Sequence, residues 1–382
     1  MNSNLRVVHI ITGLNQGGAE AMLTKVSGAL RERCEIQVIS LLDEGVYGKT
    51  LKEMGIPVHC LHMKRGSFSW KAFGQLRNLL KKIHPDVVQT WMYHADLIGG
   101  IATKTSADSK VFWNIRQGNV SSDANSIATR CVVRLNAFLS RFIPTKVVVN
   151  SNVGRQVHQG IGYAASKMIV IPNAFDIHRF KSDHAARIKF RAELGIDPQL
   201  PVLGMVARFD PQKDHETLLK AARLLVDNKI EFRLLLSGQG IDVNNAALVE
   251  KIREKRLNDH VILLGMRSDI PEFMNALDCH VLSSSCCEGF PNVIGEAMAC
   301  EVPCVATDIG DSAMIIDDTG WIVAPGDPHA LAKAMMEALI ESPPLDAARG
   351  RRCRQRILDN FEMERITDMY YDMWVEDIKK RR

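Results

Sequence analysis

Residues 287–299 read Cys287-Glu288-Gly289-Phe290-Pro291-Asn292-Val293-Ile294-Gly295-Glu296-Ala297-Met298-Ala299. The apolar run 279–283 before this stretch is typical of a buried strand, so the stretch predicts a turn from a strand into a helix. Pro291 suits the first helical position, because its missing N–H would have no partner there. The N–H groups at such a helix start, together with the helix dipole, favour an anion.

Two carboxylates, Glu288 and Glu296, lie eight residues apart in this stretch. Glu288 falls in the turn, whereas Glu296 lies about 7.5 Å along the helix axis from Pro291, at about 1.5 Å per residue. That separation is close to the length of a sugar–pyrophosphate–ribose unit. The stretch therefore predicts a nucleotide-sugar site with one carboxylate at each polyol end.

Size and composition indicate a globular protein of two domains. A chain of 382 residues is long for a single core, and its 46% apolar and 24% charged residues are ordinary for such a protein. The sequence has no apolar run long enough to span a bilayer, and its first residues lack the features of a signal peptide. Nine cysteines without a C-x-x-C pair favour reduced thiols in the cytosol over disulfides or zinc.

Charge is distributed unevenly along the chain. Residues 1–180 carry 22 basic and 11 acidic side chains, whereas residues 181–382 carry 26 and 33. A basic first half indicates an anionic partner. Because no nucleic-acid motif is present, we expect no nucleic-acid partner, and an anionic membrane face or a phosphate-bearing acceptor fits better.

Short β-rich apolar runs alternate with longer helical patterns, which is typical of parallel sheets covered by helices. The candidate strands are 6–12, 35–41, 58–61, 87–90, 110–114 and 146–150 in a first set, and 202–206, 232–237, 261–265, 279–283, 302–307 and 320–323 in a second. We predict an α/β protein with two Rossmann-like domains facing a central cleft. The predicted domains are 1–178 and 179–360, and 361–382 is a C-terminal helix that returns to the N-terminal domain.

Two cations follow the first strand of the second set. Arg208 and Lys213 lie five residues apart on a loop at the carboxyl end of a parallel strand, where open α/β folds bind ligands. Such a pair can grip a pyrophosphate and stabilise it as a leaving group. In combination with the Glu288–Glu296 turn, this pair becomes a specific signal for a donor site.

Four motifs together resemble the nucleotide-sugar-dependent glycosyltransferases of family 4, which are retaining and have the GT-B fold. They are Gly13-Leu14-Asn15-Gln16-Gly17-Gly18-Ala19-Glu20, Ile171-Pro172-Asn173-Ala174-Phe175-Asp176, Arg208-x4-Lys213 with Ser237-Gly238-Gln239-Gly240, and Glu288-x7-Glu296. They cover both halves of the chain in the order of the family. The resemblance implies an N-terminal acceptor-side domain and a C-terminal nucleotide-sugar domain.

The resemblance also implies roles for individual residues. Arg208 and Lys213 would bind the donor diphosphate, and with Glu288 beside the reacting carbon they would carry catalysis. Glu296 would contact the ribose, and the nucleobase would lie near residues 265–267, held largely by backbone groups. The implied donor-binding residues are Gly17, Gly18, Arg208, Lys213, Gly238, Met266, Arg267, Glu288, Gly289, Phe290, Asn292, Val293 and Glu296.

On the acceptor side, the sequence departs from the family pattern. Arg116 stands where many relatives carry a histidine, so either Arg116 contacts a phosphate of the acceptor or donor or His94 takes over the polar contact. A structural role is the alternative for each of the two residues. Retaining members are usually argued to react on one face, where the leaving phosphate helps to deprotonate the acceptor. Arg208 and Lys213 can replace a divalent cation, so we expect no metal and no cofactor besides the co-substrate nucleotide sugar.

The sequence predicts a cytoplasmic enzyme that transfers a hexose or N-acetylhexosamine, with UDP favoured as carrier, to a lipid-linked or polysaccharide acceptor in cell-surface glycan synthesis. Segments 67–83 and 127–143 mix apolar with basic residues. They fit peripheral contact with the inner membrane, or ordinary helices with basic faces. An epimerase, a phosphorylase and a non-catalytic sugar-nucleotide-binding protein remain alternatives. A dehydrogenase reading would rest on Gly238-Gln239-Gly240, which lacks the third glycine of a dinucleotide fingerprint.

Overall fold

The computed structural model describes residues 5–118, 126–341 and 347–380. The chain forms two compact units. The first comprises Met1–Ala174 and Met363–Arg382, and the second comprises Phe175–Glu362. The two basic residues predicted to end the C-terminal helix, Arg381 and Arg382, lie outside the described residues.

The first unit is built on a seven-stranded parallel sheet in the order β3-β2-β1-β4-β5-β6-β7. Its strands are β1 (Leu5–Ile11), β2 (Cys34–Ser40), β3 (Val58–Cys60), β4 (Val87–Trp91), β5 (Lys110–Ile115), β6 (Lys146–Val149) and β7 (Met168–Val170). Its first six helices are α1 (Gly18–Leu30), α2 (Gly45–Glu53), α3 (Trp70–Ile83), α4 (Tyr93–Ser106), α5 (Ile127–Leu139) and α6 (Asn152–Ile161). The strand order reverses beside β1, which is where Rossmann-like sheets bind ligands.

The second unit has a six-stranded parallel sheet in the order β10-β9-β8-β11-β12-β13. Its strands are β8 (Val202–Val206), β9 (Arg233–Ser237), β10 (Val261–Leu263), β11 (Cys279–Leu282), β12 (Cys304–Thr307) and β13 (Trp321–Val323). Its helices are α7 (His184–Glu193), α8 (His215–Asp227), α9 (Ala246–Glu254), α10 (Ile270–Ala276), α11 (Asn292–Ala299), α12 (Ser312–Ile316), α13 (Pro328–Glu341) and α14 (Ala347–Phe361). The reversal here lies between β8 and β11.

The last helix, α15 (Met363–Lys379), belongs to the first unit. Its side chains Tyr370 and Trp374 are fully buried there, and Trp374 Nε1 donates a hydrogen bond of 3.0 Å to Gln89 Oε1 in β4. This apolar stripe with buried polar tips fixes the helix against the sheet. The predicted α/β class, the two Rossmann-like domains and the return of the C-terminal helix are confirmed.

Most predicted strands match observed ones to within about two residues at each end, and three details differ. Strand β7, which falls between the two predicted sets, was not predicted, because a strand of three residues gives too short a pattern to recognise. The first unit ends at Ala174 rather than at residue 178, because Phe175 packs on Phe290 and Phe361. Pro291 is the residue before the first helical position, with extended backbone angles, so α11 begins one residue later than predicted.

A buried charge cluster joins α7 to the start of β8 and β11. Asp278 accepts hydrogen bonds from Arg187 Nη2 (2.5 Å), Arg191 Nη2 (2.7 Å) and the backbone N–H of Val202 (2.7 Å). Because each oxygen of the buried carboxylate has a charged partner, the cost of its desolvation is offset. The two strands that carry the candidate site are thereby fixed at their amino ends.

Strand β11 contains a histidine that has no hydrogen-bond partner within the described residues. His280 is fully buried, and neither ring nitrogen is bonded. Burial lowers the pKa of His280 from 6.5 to about 3, because the charged ring would lose its hydration. The neutral ring is therefore part of the folded state, and protonation of the unfolded chain below pH 6.5 favours unfolding.

We predict that His280→Leu makes the second unit less sensitive to acid. For a folded pKa below its unfolded value, stability is fully present above about pH 6.5 and is lost as pH falls towards about 3. The variant should therefore gain about 2 kcal/mol relative to the wild type between pH 8 and pH 5. Chemical unfolding at the two pH values measures this gain. The same change at the exposed His184 is the matched control, and equal responses of the two variants would refute the assignment.

Candidate active site

The loop after β8 holds the first of the predicted cations. Arg208 Nε donates a hydrogen bond of 3.0 Å to Asp210 Oδ2, yet the arginine side chain remains 54% exposed. Asp210 also accepts the backbone N–H of Gln212 at 2.9 Å, which caps the short turn Pro211–Lys213. This backbone bond, followed by the charge of Arg208, lowers the pKa of Asp210. Arg208 is thus oriented by an ionised partner and remains accessible to an anion.

Lys213 and Glu288 form an ion pair between the loops that follow β8 and β11. Their side chains are only 18% and 13% exposed. Ser284 Oγ donates a hydrogen bond of 2.6 Å to the same oxygen, Glu288 Oε1. The structure therefore brings together two residues that sequence analysis assigned to one site across 75 positions.

Serines at the end of β11 fix the geometry of this pair. Ser283 Oγ donates to the backbone carbonyls of Lys213 (2.9 Å) and Asp214 (3.1 Å). The N–H of Ser285 donates to Gln212 O at 2.9 Å. Sequence analysis did not assign these serines. The run Ser283-Ser284-Ser285 at a strand end was the available signal, because hydroxyls there can bond to a neighbouring loop.

Gly238 lies where the loops after β8 and β9 touch. A side chain at this position would place its Cβ 2.1 Å from the carbonyl oxygen of Ala207, and the φ angle is +149°. The N–H of Gly238 donates to Gly265 O at 2.8 Å, and the N–H of Phe209 donates to Gln239 O at 2.8 Å. Only glycine fits this close approach of three loops, which agrees with the predicted tight turn.

Residues 265–267, the predicted nucleobase segment, follow β10. Met266 is 81% exposed. The Arg267 side chain is bound to Asp269, with Nε donating to Oδ1 at 2.7 Å, and it lies 4.8 Å from the centroid of the Phe190 ring. Because the guanidinium of Arg267 is already bound, the predicted contact of this side chain with a nucleobase stays a prediction.

The turn before α11 combines an accessible backbone with a buried ring. Phe290 packs on Phe175 and Phe361, at centroid distances of 6.0 and 5.6 Å. Gly289 O accepts the N–H of Asp311 at 2.9 Å. The Phe290 side chain is therefore part of the core, so a ligand can meet only the backbone of this residue.

The remaining predicted donor residues of this turn lie at the start of α11 and one turn into it. Asn292 is exposed, and Val293 and Glu296 are half-buried. The first turn of this helix thus carries the positive end of the helix dipole beside the Lys213–Glu288 pair. Such a helix start suits a phosphate or a sugar hydroxyl.

In the first unit, Gly17 and Gly18 begin α1. Gly17 has an extended backbone that any residue can adopt, and a Cβ there would meet only the flexible carboxylate of Glu20, at 2.2 Å. A Cβ on Gly18 would meet nothing within 4 Å. Within this unit, therefore, neither glycine is required by local packing, and their predicted role towards the donor stays a prediction.

His94 lies on α4 and lines a pocket of about 700 Å³ in the first unit. The pocket wall also includes Thr12 at the end of β1, together with Lys64, Arg65 and Thr129. Burial lowers the pKa of His94, which favours the neutral imidazole. A neutral histidine between basic and hydroxyl groups can accept a proton or a hydrogen bond in this pocket.

Arg116 is bound to other residues of the first unit. Its Nη1 donates to Tyr370 Oη at 2.9 Å, its Nη2 donates to Asn173 Oδ1, and it lies over the Trp91 ring. Asn114 Nδ2 also donates to Tyr370 Oη, at 2.9 Å. Burial lowers the pKa of Arg116, an effect that Tyr370 opposes. Arg116 therefore joins strand β5, the motif at residues 171–176 and helix α15, and a structural role is the one that these contacts support.

We predict that Tyr370→Phe destabilises the first unit. The change removes the acceptor shared by Arg116 and Asn114 in a buried site, and such a loss costs about 1–3 kcal/mol. Urea unfolding followed by tryptophan fluorescence measures the effect, since Trp91 packs on Tyr370. Tyr371→Phe, at the partly exposed neighbouring position, is the matched control. Equal midpoints for the two variants would argue against the network.

Two helices of the first unit expose aromatic side chains beside basic ones. Trp70, at the start of α3, is 79% exposed and contacts Phe68. Phe138 of α5 is 59% exposed and contacts Phe142, which lies just beyond the helix. Both segments are regular helices packed beside the sheet, but each leaves a pair of aromatic rings uncovered.

Two family models match the chain, and together they span nearly all of both units. Glycosyltransferase Family 4 matches residues 16–179, and Glycosyl transferases group 1 matches residues 186–356. The chain belongs to the family 4 glycosyltransferases. It is thus a glycosyltransferase, and Arg208, Lys213 and Glu288, the residues predicted to bind the donor, lie within the second matched segment.

Several relatives of this chain are bacterial glycosyltransferases. A UDP-Gal:α-D-GlcNAc-diphosphoundecaprenol α-1,3-galactosyltransferase of Escherichia coli is 24% identical over 80% of each chain. The capsular polysaccharide biosynthesis glycosyltransferase CapM of Staphylococcus aureus is 24% identical over 87% of this chain and 89% of its own. The solved structure of Anabaena HepE in complex with UDP has a TM-score of 0.84 and 23% identity, covering 97% of this chain and all of its own. This last likeness confirms the GT-B fold.

Two further properties of the described residues bear on the enzyme. In 5–118, 126–341 and 347–380, no group of three or more His, Cys, Asp or Glu side chains could hold a metal ion. Over the same ranges, every helix is too short or too polar to cross a membrane.

Proposed function

We propose that this enzyme transfers a hexose or N-acetylhexosamine, with retention of configuration, from a UDP-sugar to a lipid-linked or polysaccharide acceptor in cell-surface glycan synthesis. The Lys213–Glu288 pair carries the proposal. It places a cation for a diphosphate and a carboxylate for a sugar on adjoining loops at the carboxyl ends of β8 and β11.

The diphosphate is the first part of the donor to be accounted for. Arg208 is exposed and oriented by Asp210, so its guanidinium can bind two phosphate oxygens at once. Lys213 adds a second positive charge within the same loop. Together the two cations would stabilise the charge that develops on the leaving diphosphate, without a metal ion or another cofactor.

The sugar and the ribose are assigned to the two carboxylates. Glu288 is held between Lys213 and Ser284, and arrival of a diphosphate at Lys213 would release the carboxylate to bind sugar hydroxyls. Glu296 lies on α11, about one turn from the start of the helix, where it would bind the ribose. The backbone of residues 289–293 would hold the intervening phosphate at the helix start.

UDP as carrier and a lipid-linked acceptor are supported by relatives rather than by geometry. The printed name of the Escherichia coli relative includes a UDP-sugar donor and a diphosphoundecaprenol acceptor. The pocket that His94 lines, with Lys64 and Arg65 in its wall, has the charge expected for a phosphorylated acceptor. Retention of the configuration of the sugar is proposed from family membership. The leaving phosphate would then take the proton from the hydroxyl group of the acceptor.

A donor screen tests the proposal. Thermal unfolding is recorded with UDP-, GDP- and ADP-sugars, because a ligand at 100 times its Kd adds about 2.7 kcal/mol to stability. We expect a UDP-sugar to stabilise the protein most. The configuration of the product formed from that donor, read by NMR, then decides between retention and inversion. Absence of stabilisation by every donor, or an inverted product, would contradict the proposal.

Peripheral membrane contact is a separate part of the proposal, and it rests on the exposed aromatic pairs beside basic residues. We predict that the wild type sediments with anionic vesicles at low salt and that Phe138→Ser combined with Phe142→Ser weakens this binding several-fold. Ile188→Ser removes an equally exposed apolar side chain from the second unit and should bind like the wild type. A wild type that stays in the supernatant would end the membrane proposal.

A further inference from the structure

Two adjacent cysteines, Cys286 and Cys287, lie in the loop that leads to Glu288. Both side chains are exposed and neither forms a disulfide, and their sulfur atoms are 2.7 Å apart. All nine cysteines of the chain are described and none forms a disulfide, and Cys131 of the first unit is the only other exposed one. The loop therefore presents two accessible thiols in contact, immediately before the carboxylate of the donor site.

We propose that Cys286 and Cys287 are a reversible oxidation site, whose conversion to a vicinal disulfide switches off donor binding by displacing Glu288. The regulatory part rests on the proposed function, because it requires Glu288 to act on the donor.

The oxidant we name is a peroxide. One thiolate attacks a peroxide oxygen, the O–O bond breaks and a sulfenic acid forms, while the other oxygen leaves as water after protonation. The second thiolate then displaces the sulfenic oxygen as a second water, and the S–S bond forms. Two electrons pass from the sulfur atoms to the peroxide, and the two thiol protons end in the two waters. A small dithiol reverses the reaction by thiol–disulfide exchange.

The backbone must change when this bond forms. Consecutive Cα atoms are about 3.8 Å apart, whereas those joined by a disulfide are usually about 4.4–6.8 Å apart, so the peptide between them has to twist. Cys287 already has a φ angle of +70°, a value that residues other than glycine seldom adopt. A disulfide closed under such constraint is strained and is easily reduced, as a reversible switch requires.

The anchors of the loop direct that change towards Glu288. On one side the N–H of Ser285 is bonded to Gln212 O at 2.9 Å. On the other side Gly289 O accepts the N–H of Asp311 at 2.9 Å. Three residues lie between these anchors: the two cysteines and Glu288. A twist of the cysteine peptide is therefore absorbed at Glu288, whose bonds to Lys213 and Ser284 depend on its position.

Cysteines elsewhere in the second unit do not compete for the oxidant. Cys279, Cys300, Cys304 and Cys353 are buried, and burial raises the pKa of each of these thiols. Because the thiolate is the reactive form, these four thiols react slowly with peroxide. The selectivity of the pair therefore follows from its exposure and from the proximity of the two sulfur atoms.

The test treats the full-length protein with a small excess of hydrogen peroxide and maps its thiols by peptide mass spectrometry. The nucleotide sugar selected by the screen is titrated calorimetrically into the protein before oxidation, after oxidation and after treatment with dithiothreitol. We expect a disulfide between Cys286 and Cys287, at least about tenfold weaker nucleotide-sugar binding, and full recovery on reduction. Cys286→Ser and Cys287→Ser should keep their affinity under peroxide, whereas Cys131→Ser should respond like the wild type.

Each of the other outcomes would overturn one specific part of the proposal. If peroxide leaves both thiols free, the pair is not an oxidation site. If the mapped disulfide forms but affinity is unchanged, or if Cys286→Ser loses affinity equally, the loop is not a switch. If the reduced wild type binds no nucleotide sugar, the proposed donor site itself is wrong and the switch falls with it. The mapped disulfide still reports on the thiol pair in that case, so the two failures are distinguishable.

Discussion

Replacing Glu288 with glutamine is expected to lower the rate of sugar transfer by at least about 100-fold while the protein remains folded. Glutamine has the same shape and can still accept hydrogen bonds from Lys213 and Ser284, so the loop keeps its anchors. What it loses is the negative charge. Charge-assisted hydrogen bonds to sugar hydroxyls are roughly twice as strong as neutral ones. The carboxylate also stabilises the positive charge that develops at the reacting carbon.

The measurement is the initial rate of product formation from the donor selected by the screen, with circular dichroism as the check on folding. Glu254→Gln is the matched control, since it makes the same chemical change at an exposed position of α9. If Glu288→Gln retains more than about half of the wild-type rate, Glu288 has no part in the chemistry.

Replacing Lys213 with alanine is expected to have an effect of similar size on kcat/KM, about 100- to 1,000-fold. The change removes a cation from the diphosphate and also leaves Glu288, which is largely buried, without its ionic partner. Both losses weaken the binding of the diphosphate and its stabilisation as the leaving group. Nucleoside diphosphate alone should therefore bind more weakly, which separates this variant from Glu288→Gln, whose defect concerns the sugar.

Two comparisons sharpen this prediction. Lys213→Arg keeps the positive charge and should recover part of the affinity for the nucleoside diphosphate. Recovery is incomplete because the planar guanidinium cannot reproduce the geometry of the ammonium group beside Glu288. Lys220→Ala removes an exposed lysine of α8 that pairs with Glu216 at 3.5 Å, and it should behave like the wild type. Wild-type affinity of Lys213→Ala for the nucleoside diphosphate would show that the diphosphate lies elsewhere.

The sequence was sufficient to predict the two sheets and the proximity of Lys213 to Glu288. Strands β8 and β11 are apolar runs, and the carboxyl ends of parallel strands lie at one edge of a sheet, so residues following them had to be near one another. This is why Lys213 and Glu288 were assigned to one site although 75 positions separate them. This prediction needed only the rule that the carboxyl ends of parallel strands lie at one edge of the sheet, and it required no knowledge of side-chain conformations.

Contacts that depend on tertiary packing could not be predicted in this way. Nothing in the sequence pattern distinguishes Phe290 as a core residue, because its burial depends on Phe175 and Phe361 far along the chain. Likewise, the sequence left open whether Arg116 contacts a phosphate or has a structural role, and its described partners Tyr370, Asn173 and Asn114 could not be predicted. Side-chain partners distant in sequence are chosen by the packed fold, and no periodicity encodes them.

Hydrogen–deuterium exchange with and without the nucleotide sugar tests the location of the donor site most directly. Peptides covering 207–213 and 286–294 contain Arg208, Lys213, Glu288 and the start of α11. A donor bound at these residues should slow exchange in both peptides of the wild type, and Lys213→Ala should lose the effect. If the nucleotide sugar binds and exchange in both peptides is unchanged, the donor does not bind at the Lys213–Glu288 pair.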